Sequence, residues 1–567
     1  MTSESLALVT RVQAALRAPG MPFAVTATPD GPRYSAGPPT LRDLLDATRA
    51  HGDRPFLVSP GGVLTFAGHH ARAAALAHHL LGAYGLRPGD RVVIAMRNLP
   101  EWQIAFWAAQ AAGLVAVPLN AWWEAEELAY ALDDCEPAVV VADGERAARI
   151  EPWLARRPTG ERPRLLTVGV GPRPGAERFE DLPAPAPGVS LPAGPIDPGA
   201  DATLLYTSGT TGHPKAVAAT HAAWCAAAVT PRFFAATAVL CAGGELADVR
   251  PQTVLMTFPF FHVAAFTTML PVMTGGGSAV LMHRWDADEA LRLVDRHRVG
   301  TFVGVPTTAL GLLDAADRTG VQLPSLTMIS TGGAAAPPGL APRITARFGG
   351  RVDVRNGYGL TETCGGVLAN LGARYREHPD SVGRPCPAVE VRIADPADPA
   401  GAALPDGEVG ELWLRGQPLF RGYRGNAGAT ADAFRDGWFR TGDLARLRDG
   451  EVYIVDRLKD MVIRGGENVY CVEVEGVLCG HPAVADAAVL GVPHPALGEE
   501  VAAVVVLRPG RAADREALRE HVAGRLAAFK VPAHLVFHPG PLPRNPTGKL
   551  VKRVLREELT AKPPLRR

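Results

Sequence analysis

The sequence predicts an α/β protein with a large N-terminal domain and a smaller α+β domain at the C-terminal end. Three observations carry this expectation. The chain has 567 residues, more than one hydrophobic core supports. From about Leu41 onward, helical and strand-like segments alternate, as they do around a largely parallel sheet. After Asp406 the texture changes to antiparallel strands with Asp-Gly turns at 406–407 and 449–450.

The elements follow in order. Residues 6–16 have the spacing of a short amphipathic helix, read as a packing arm. Residues 72–84 are rich in alanine and leucine at helical spacing, Pro88-Gly-Asp90 is a turn, and residues 91–95 form a β-branched strand. A helix over 101–113 and a strand over 114–117 continue the alternation, which returns at 276–282, 287–298, 301–305 and 326–330. Residues 152–198 hold eleven prolines, which excludes a regular helix or central strand through most of that stretch. It reads as a surface connection leading into a strand before Thr207. Strands are expected at 409–415 and 451–455, then at 484–492 and 501–507, with a helix over 515–528. A boundary falls near Asp456 to Asp460, and no internal repeat is evident.

Composition excludes several classes. The chain is 47% hydrophobic and 20% charged with a formal net charge of zero, so no global field attracts nucleic acid or an anionic membrane. Seven scattered cysteines without a C-x-x-C pair point to buried thiols in a reducing cytoplasm. The N-terminus lacks the charge and apolar pattern of a signal peptide, and no run of 18 apolar residues predicts a membrane span.

Lysine usage directs attention to a few positions. Of 58 basic side chains only six are lysine, at 215, 459, 530, 549, 552 and 562. Where arginine serves nearly every other need, a retained lysine marks a candidate for a compact, mobile ammonium. Lys215 closes the run Thr207-Ser-Gly-Thr-Thr-Gly-His-Pro-Lys, whose glycines and hydroxyls suit a polyphosphate. It is not a Walker A loop, because Pro214 stands where Gly-Lys-Ser/Thr would follow.

That run, extended to Tyr206, resembles the signature of the adenylate-forming superfamily, acyl-CoA synthetase branch. Further motifs follow in that family's order: Pro259-Phe-Phe-His262, Asn356-Gly-Tyr-Gly-Leu-Thr-Glu362, Trp438-Phe-Arg-Thr-Gly-Asp443, Asp456-Arg-Leu-Lys-Asp460, Gly465-Gly-Glu-Asn468 and Pro543-Arg-Asn-Pro-Thr-Gly-Lys549. The resemblance covers roughly residues 40 to 555. It implies an N-terminal extension (1–40), a large ATP- and acyl-binding domain with a smaller β-barrel-like part (41–455), a hinge (456–460) and a small mobile lid domain (461–567). It also implies ATP, magnesium and coenzyme A as cofactors.

Residue roles come from the same resemblance. Thr207, Ser208, Gly209, Thr210, Thr211, Gly212 and Lys215 would hold the outgoing phosphates. Asn356, Gly357, Tyr358 and Gly359 would border the adenine, with Gly333, Ala334 and Ala335 on its other side. Thr361 would contact phosphate and Glu362 would bind magnesium, which favours carboxylate and phosphate oxygens. Asp443 would accept from both ribose hydroxyls, with Arg457 near the ribose and α-phosphate. Lys549 would bridge the attacking carboxylate and the α-phosphate, and Lys459 would be the hinge residue. Gly465 and Gly466 would line the pantetheine channel, Lys530 would meet a CoA phosphate, and His262 would stand between adenylate and thiol channel.

Residues 260–266 contain no acidic group to pair with an amino acid's ammonium. The small residues Ala264, Ala265, Gly332, Gly333 and Ala334 to Ala336 imply a roomy, uncharged pocket. A hydrophobic acid is therefore expected, of fatty, alicyclic or terpenoid type. The leading reading is an acid:CoA ligase; the alternatives are acyl transfer to a carrier-protein phosphopantetheine, a luciferase-like monooxygenase, and a non-catalytic relative. No carrier domain is present in the chain. Oligomeric state stays open, a homodimer included.

Overall fold

In the large sheets, alternate residues of each central strand enter different cores. The computed structural model describes residues 2–207, 214–334, 336–337, 339–398, 400–465, 467–545 and 548–561. In strand Arg91–Ala95, Val92 and Ile94 face one cluster while Val93 and Ala95 face another. In Thr253–Met256, Val254 and Met256 join that same first cluster, and Leu255 faces a third. A period of two with both faces apolar is what a sheet covered by helices on both sides requires.

Two large sheets result. One has eight strands, in the order Gly422–Tyr423, Lys215–Thr220, Asp201–Thr207, Val115–Pro118, Arg91–Ala95, Val139–Asp143, Arg164–Val168, Ala176–Arg178. Its pairings are parallel from Asp201–Thr207 to the last strand. The other has nine strands, parallel from Asp353–Leu360 through Pro55–Ser59 and antiparallel at both ends. Between the sheets lie helices Phe66–Gly82, Pro100–Ala111, His221–Cys241 and Val263–Gly275, whose side chains share one core with strands of both. Trp102, Phe106, Trp224 and Phe266 form its aromatic centre. Helix His221–Cys241 is long and apolar enough to cross a membrane, yet its first half packs into this interior and its second half against the cluster beside the antiparallel sheet.

A five-stranded antiparallel sheet follows, built from Val389–Ala394, Val409–Gly416, Phe434–Arg435, Trp438–Arg448 and Glu451–Arg457. Asp449 and Gly450 make the expected two-residue hairpin, with φ of 53° and 74° between paired Arg448 and Glu451. The last unit pairs Val462–Arg464, Glu467–Val469, Val484–His494, Gly498–Leu507 and His534–Phe537 into a second five-stranded sheet with helices Cys471–Cys479, Arg515–Ala523 and Lys552–Ala561.

The expected packing arm is present as helix Thr2–Leu16, whose Leu16 is buried against Phe23 and Phe233 beside the antiparallel sheet. Three expectations need correction. Helix 515–528 stops at Ala523, because Gly524 follows and the chain turns before a short 3₁₀ segment. The helix expected to begin at Arg72 begins at Phe66, where the Thr65 side chain accepts from the Gly68 N–H. The proline-rich stretch contains strand Arg164–Val168, paired on both sides, in the gap between Pro163 and Pro172 that is free of proline.

Candidate active site

The site forms where the nine-stranded sheet, the antiparallel sheet and the C-terminal unit meet. Glu362 is positioned by a rigid hairpin. A side chain at Gly359 would lie 1.9 Å from the Gly365 carbonyl oxygen, so only glycine permits the pairing of Asp353–Leu360 with Gly365–Leu371 there. The turn between them, Thr361–Thr363, is closed by the Thr363 hydroxyl, which accepts the Leu360 N–H at 2.8 Å and donates to the Gly365 carbonyl at 2.7 Å. The Tyr423 hydroxyl donates to Glu362 Oε1 at 2.9 Å. The same tyrosine ring lies 5.1 Å from Lys215 Nζ, a cation–π contact. Tyr423 was not legible as a site residue: a Gly-Tyr pair in a short strand carries no chemical signal of its own.

Asp443 and Arg457 face each other directly across antiparallel strands, so their side chains share a face. Arg457 Nε lies 3.5 Å from Asp443 Oδ1, and the Tyr358 hydroxyl donates to Asp443 Oδ2 at 2.6 Å. Asp443 is 6% exposed, and burial raises its carboxyl above the ordinary value, opposed by the Arg457 charge. Asn356, one pleat from Tyr358, is buried, and its Oδ1 has no hydrogen-bond partner among the described residues.

Lys549 is delivered by a tight loop. The Asn545 side chain accepts the Lys549 N–H at 2.9 Å, its backbone N–H donates to the Lys549 carbonyl at 2.8 Å, and Arg544 donates to the Gly548 carbonyl at 2.8 Å. Gly548, at φ 80°, lies so near Val305 that a side chain there would meet Val305 Cγ2 at 3.0 Å. The loop thus enters the cleft of the large unit. There the Lys549 ammonium feels Arg457, Asp443, Glu362 and Lys459; burial, aided by Arg457, lowers its pKa while the two carboxylates oppose the shift. Burial also raises Glu362 above the ordinary carboxyl value.

His262 caps helix Val263–Gly275, its Nδ1 accepting the Ala264 N–H at 3.2 Å. Burial, followed by the Lys549 charge, pushes its imidazole down to about 3. Beside it, the Phe261 ring packs edge-on to Trp122 at 5.2 Å, and Phe260 is buried.

The structure therefore brings together Tyr358, Glu362, Asp443, Arg457, Lys459, Lys549 and His262, with Asn356 and Lys215 adjoining through neighbours. Thr207 pairs with Lys215 across the strands that flank the phosphate-type run. Ser208, Gly209, Thr210, Thr211, Gly212, Ala335 and Gly466 lie outside the described residues. Gly333 and Ala334 follow strand Met328–Gly332, with Gly333 at φ 77° facing Val305. Gly465 turns the hairpin of the last unit, its N–H donating to the Leu497 carbonyl at 2.8 Å. Lys530 pairs with Glu473 at 2.6 Å inside that same unit.

A large cleft that receives one lysine from a small terminal unit defines the adenylate-forming ligases. Residues 44–424 match the family described as AMP-binding enzyme, and residues 473–549 match the AMP-binding enzyme C-terminal domain; the chain belongs to this family. It is 35% identical to a long-chain-fatty-acid–CoA ligase, FadD13, of Mycobacterium tuberculosis over 87% of this chain and 94% of the relative. It is 37% identical to a feruloyl-CoA synthase of an Amycolatopsis species, over 87% and 93%. Among solved structures, ATP-bound MatB from Rhodopseudomonas palustris superposes with a TM-score of 0.77 at 31% identity, covering 92% of this chain and 99% of that one. The protein is an AMP-forming acid–thiol ligase that activates a carboxylic acid with ATP.

Proposed function

We propose that the protein is an acid:CoA ligase acting on a hydrophobic carboxylic acid. The observation that carries the reading is the Lys549 ammonium, lowered into a cleft walled by Glu362, Asp443 and Arg457. Negative charge gathers at the α-phosphate when a carboxylate attacks it, and a preorganised donor there stabilises the transition state directly. Lys549 fills that role, with Arg457 beside it. Asp443 accepts from the ribose hydroxyls while Tyr358 and Arg457 hold it in place. Asn356 Oδ1, which has no hydrogen-bond partner among the described residues, suits an adenine amino group, since a buried acceptor without a donor is costly. Gly333, Ala334, Ala335, Gly357 and Gly359 shape the adenine slot. Thr207 to Gly212 with Lys215 and Thr361 take the phosphates.

Glu362 is the proposed magnesium ligand. Among the described residues no group of three His, Cys, Asp or Glu side chains converges. That fits magnesium, which binds through one or two carboxylates together with substrate phosphates. When bound, the ion neutralises charge on the phosphate oxygens.

The second half-reaction requires a thiol in place of the lysine. We assign Lys459 as the hinge of a lid that alternates between the two half-reactions, with Gly465 and Gly466 then lining the pantetheine path and Lys530 near a CoA phosphate. The hydrophobic acid is supported by residues 260–266, which carry no acidic group and of which Phe261 and Ala264 stay partly open beside His262. Relatives named for a long-chain fatty acid and for ferulate agree with an apolar acyl group. Seven unpaired cysteines suit a reducing cytoplasm.

The test incubates the protein with ATP, magnesium, CoA and a panel of hydrophobic acids, reading AMP and thioester by mass. Acid-dependent AMP with thioester is expected. AMP without thioester points to a carrier-protein acceptor, and no acid-dependent pyrophosphate across the panel overturns the reading.

A further inference from the structure

Asp456 and Arg457 are consecutive in strand Glu451–Arg457 and face opposite ways. Arg457 turns toward Asp443 in the cleft. Asp456, only 2% exposed, turns toward the C-terminal unit, and its Oδ2 accepts the N–H of Cys471, the first residue of helix Cys471–Cys479. Its Oδ1 accepts the Arg457 N–H at 2.7 Å. Two further links join the same place. The Cys471 thiol donates to the Asp460 carbonyl at 3.0 Å. Lys552, first residue of the C-terminal helix, pairs with Glu475 at 2.8 Å and lies within the charge field of Asp456. Glu475 Oε1 also accepts the Val489 N–H at 2.8 Å.

The location gives the arrangement meaning. Lys459, the proposed pivot, lies between Asp456 and Cys471 in the chain. A rotation there would part the Asp456 carboxylate from Cys471, whereas Lys552 and Glu475 lie on the same side of the pivot and travel together. Lys552 is also three residues beyond Lys549. In this structure the Asp456–Cys471 bond is formed with Lys549 in the cleft.

We propose that Asp456 is a positioning residue, a latch that holds the lid in its adenylating orientation through the Cys471 N–H. This rests on the alternating lid of the reading above. Removing the latch shifts the lid's equilibrium away from adenylation without touching ATP, acid or thiol.

The experiment measures two half-reactions with an accepted acid: acid-dependent pyrophosphate exchange, and CoA consumption by supplied acyl adenylate. Asp456→Ala should slow exchange about tenfold while leaving CoA consumption equal or faster, since a lost hydrogen bond to a buried charge is of that size. Asp456→Asn, which keeps an acceptor for Cys471, should recover part of the exchange rate. Variants that slow both half-reactions equally, or neither, overturn the latch alone. Wild-type protein that performs exchange but never consumes CoA overturns the ligase reading and the latch with it. Should Asp456→Ala fail to fold, the smaller split is read on Asp456→Asn.

Discussion

The Tyr358 hydroxyl, on the nine-stranded sheet, donates at 2.6 Å to Asp443 Oδ2 on the antiparallel sheet. This bond fixes a buried carboxylate from a second sheet, so a nucleotide bound as proposed would meet a prearranged acceptor. Tyr358→Phe keeps the ring and removes the bond. The KM for ATP should rise about tenfold, the effect of one hydrogen bond to a charged group, with kcat changed less. Steady-state kinetics check this; an unchanged KM would count against Asp443 as a nucleotide contact.

Lys549→Ala should lower adenylate formation about a hundred- to thousandfold, the usual loss of about 2.7–4 kcal/mol for one such donor. ATP binding measured by calorimetry should weaken far less. Near-normal pyrophosphate exchange in this variant would sink the assignment.

Asn356 should read the base. Inosine triphosphate presents a carbonyl where adenine has an amino group, so it would oppose the buried Asn356 Oδ1 with another acceptor. Wild-type protein should favour ATP strongly, and Asn356→Ala should erase most of that preference. The ratio of kcat/KM for the two nucleotides measures it.

The pH profile follows from burial. Lys549 is lowered from the ordinary lysine value, and Glu362 and Asp443 are raised from theirs. The proposed roles call for the lysine protonated and the carboxylates ionised. The free-enzyme kcat/KM profile is therefore narrowed at both edges. Activity is lost as pH falls through the raised carboxyl values and as it rises through the lowered lysine value. His262, held near 3, stays neutral throughout pH 5–8, so His262→Gln should leave both limbs in place.

Much of this was legible in the chain. The strand Arg91–Ala95 and the Asp449-Gly450 hairpin follow from β-branched runs and turn chemistry, which act locally. Asp443, Arg457 and Lys549 could be singled out by motif, and Arg457 sits opposite Asp443 because the register puts it there. What stayed hidden depends on distant segments meeting. Tyr423 reaches Glu362 across 61 positions, and nothing near Lys552 in sequence names Glu475 as its partner. The strand Arg164–Val168 is hidden by the prolines that crowd both of its sides, although none lies between Pro163 and Pro172.

Helix His221–Cys241 and its companions have a sheet on either side, and both sheets draw their interior from them. Neither sheet is then a module that evolution or an engineer can exchange by itself, because each supplies half of the other's wall. Insertions and fusions belong on the outer helices or at the chain ends, and variation in acid preference must come from side chains rather than from swapped layers.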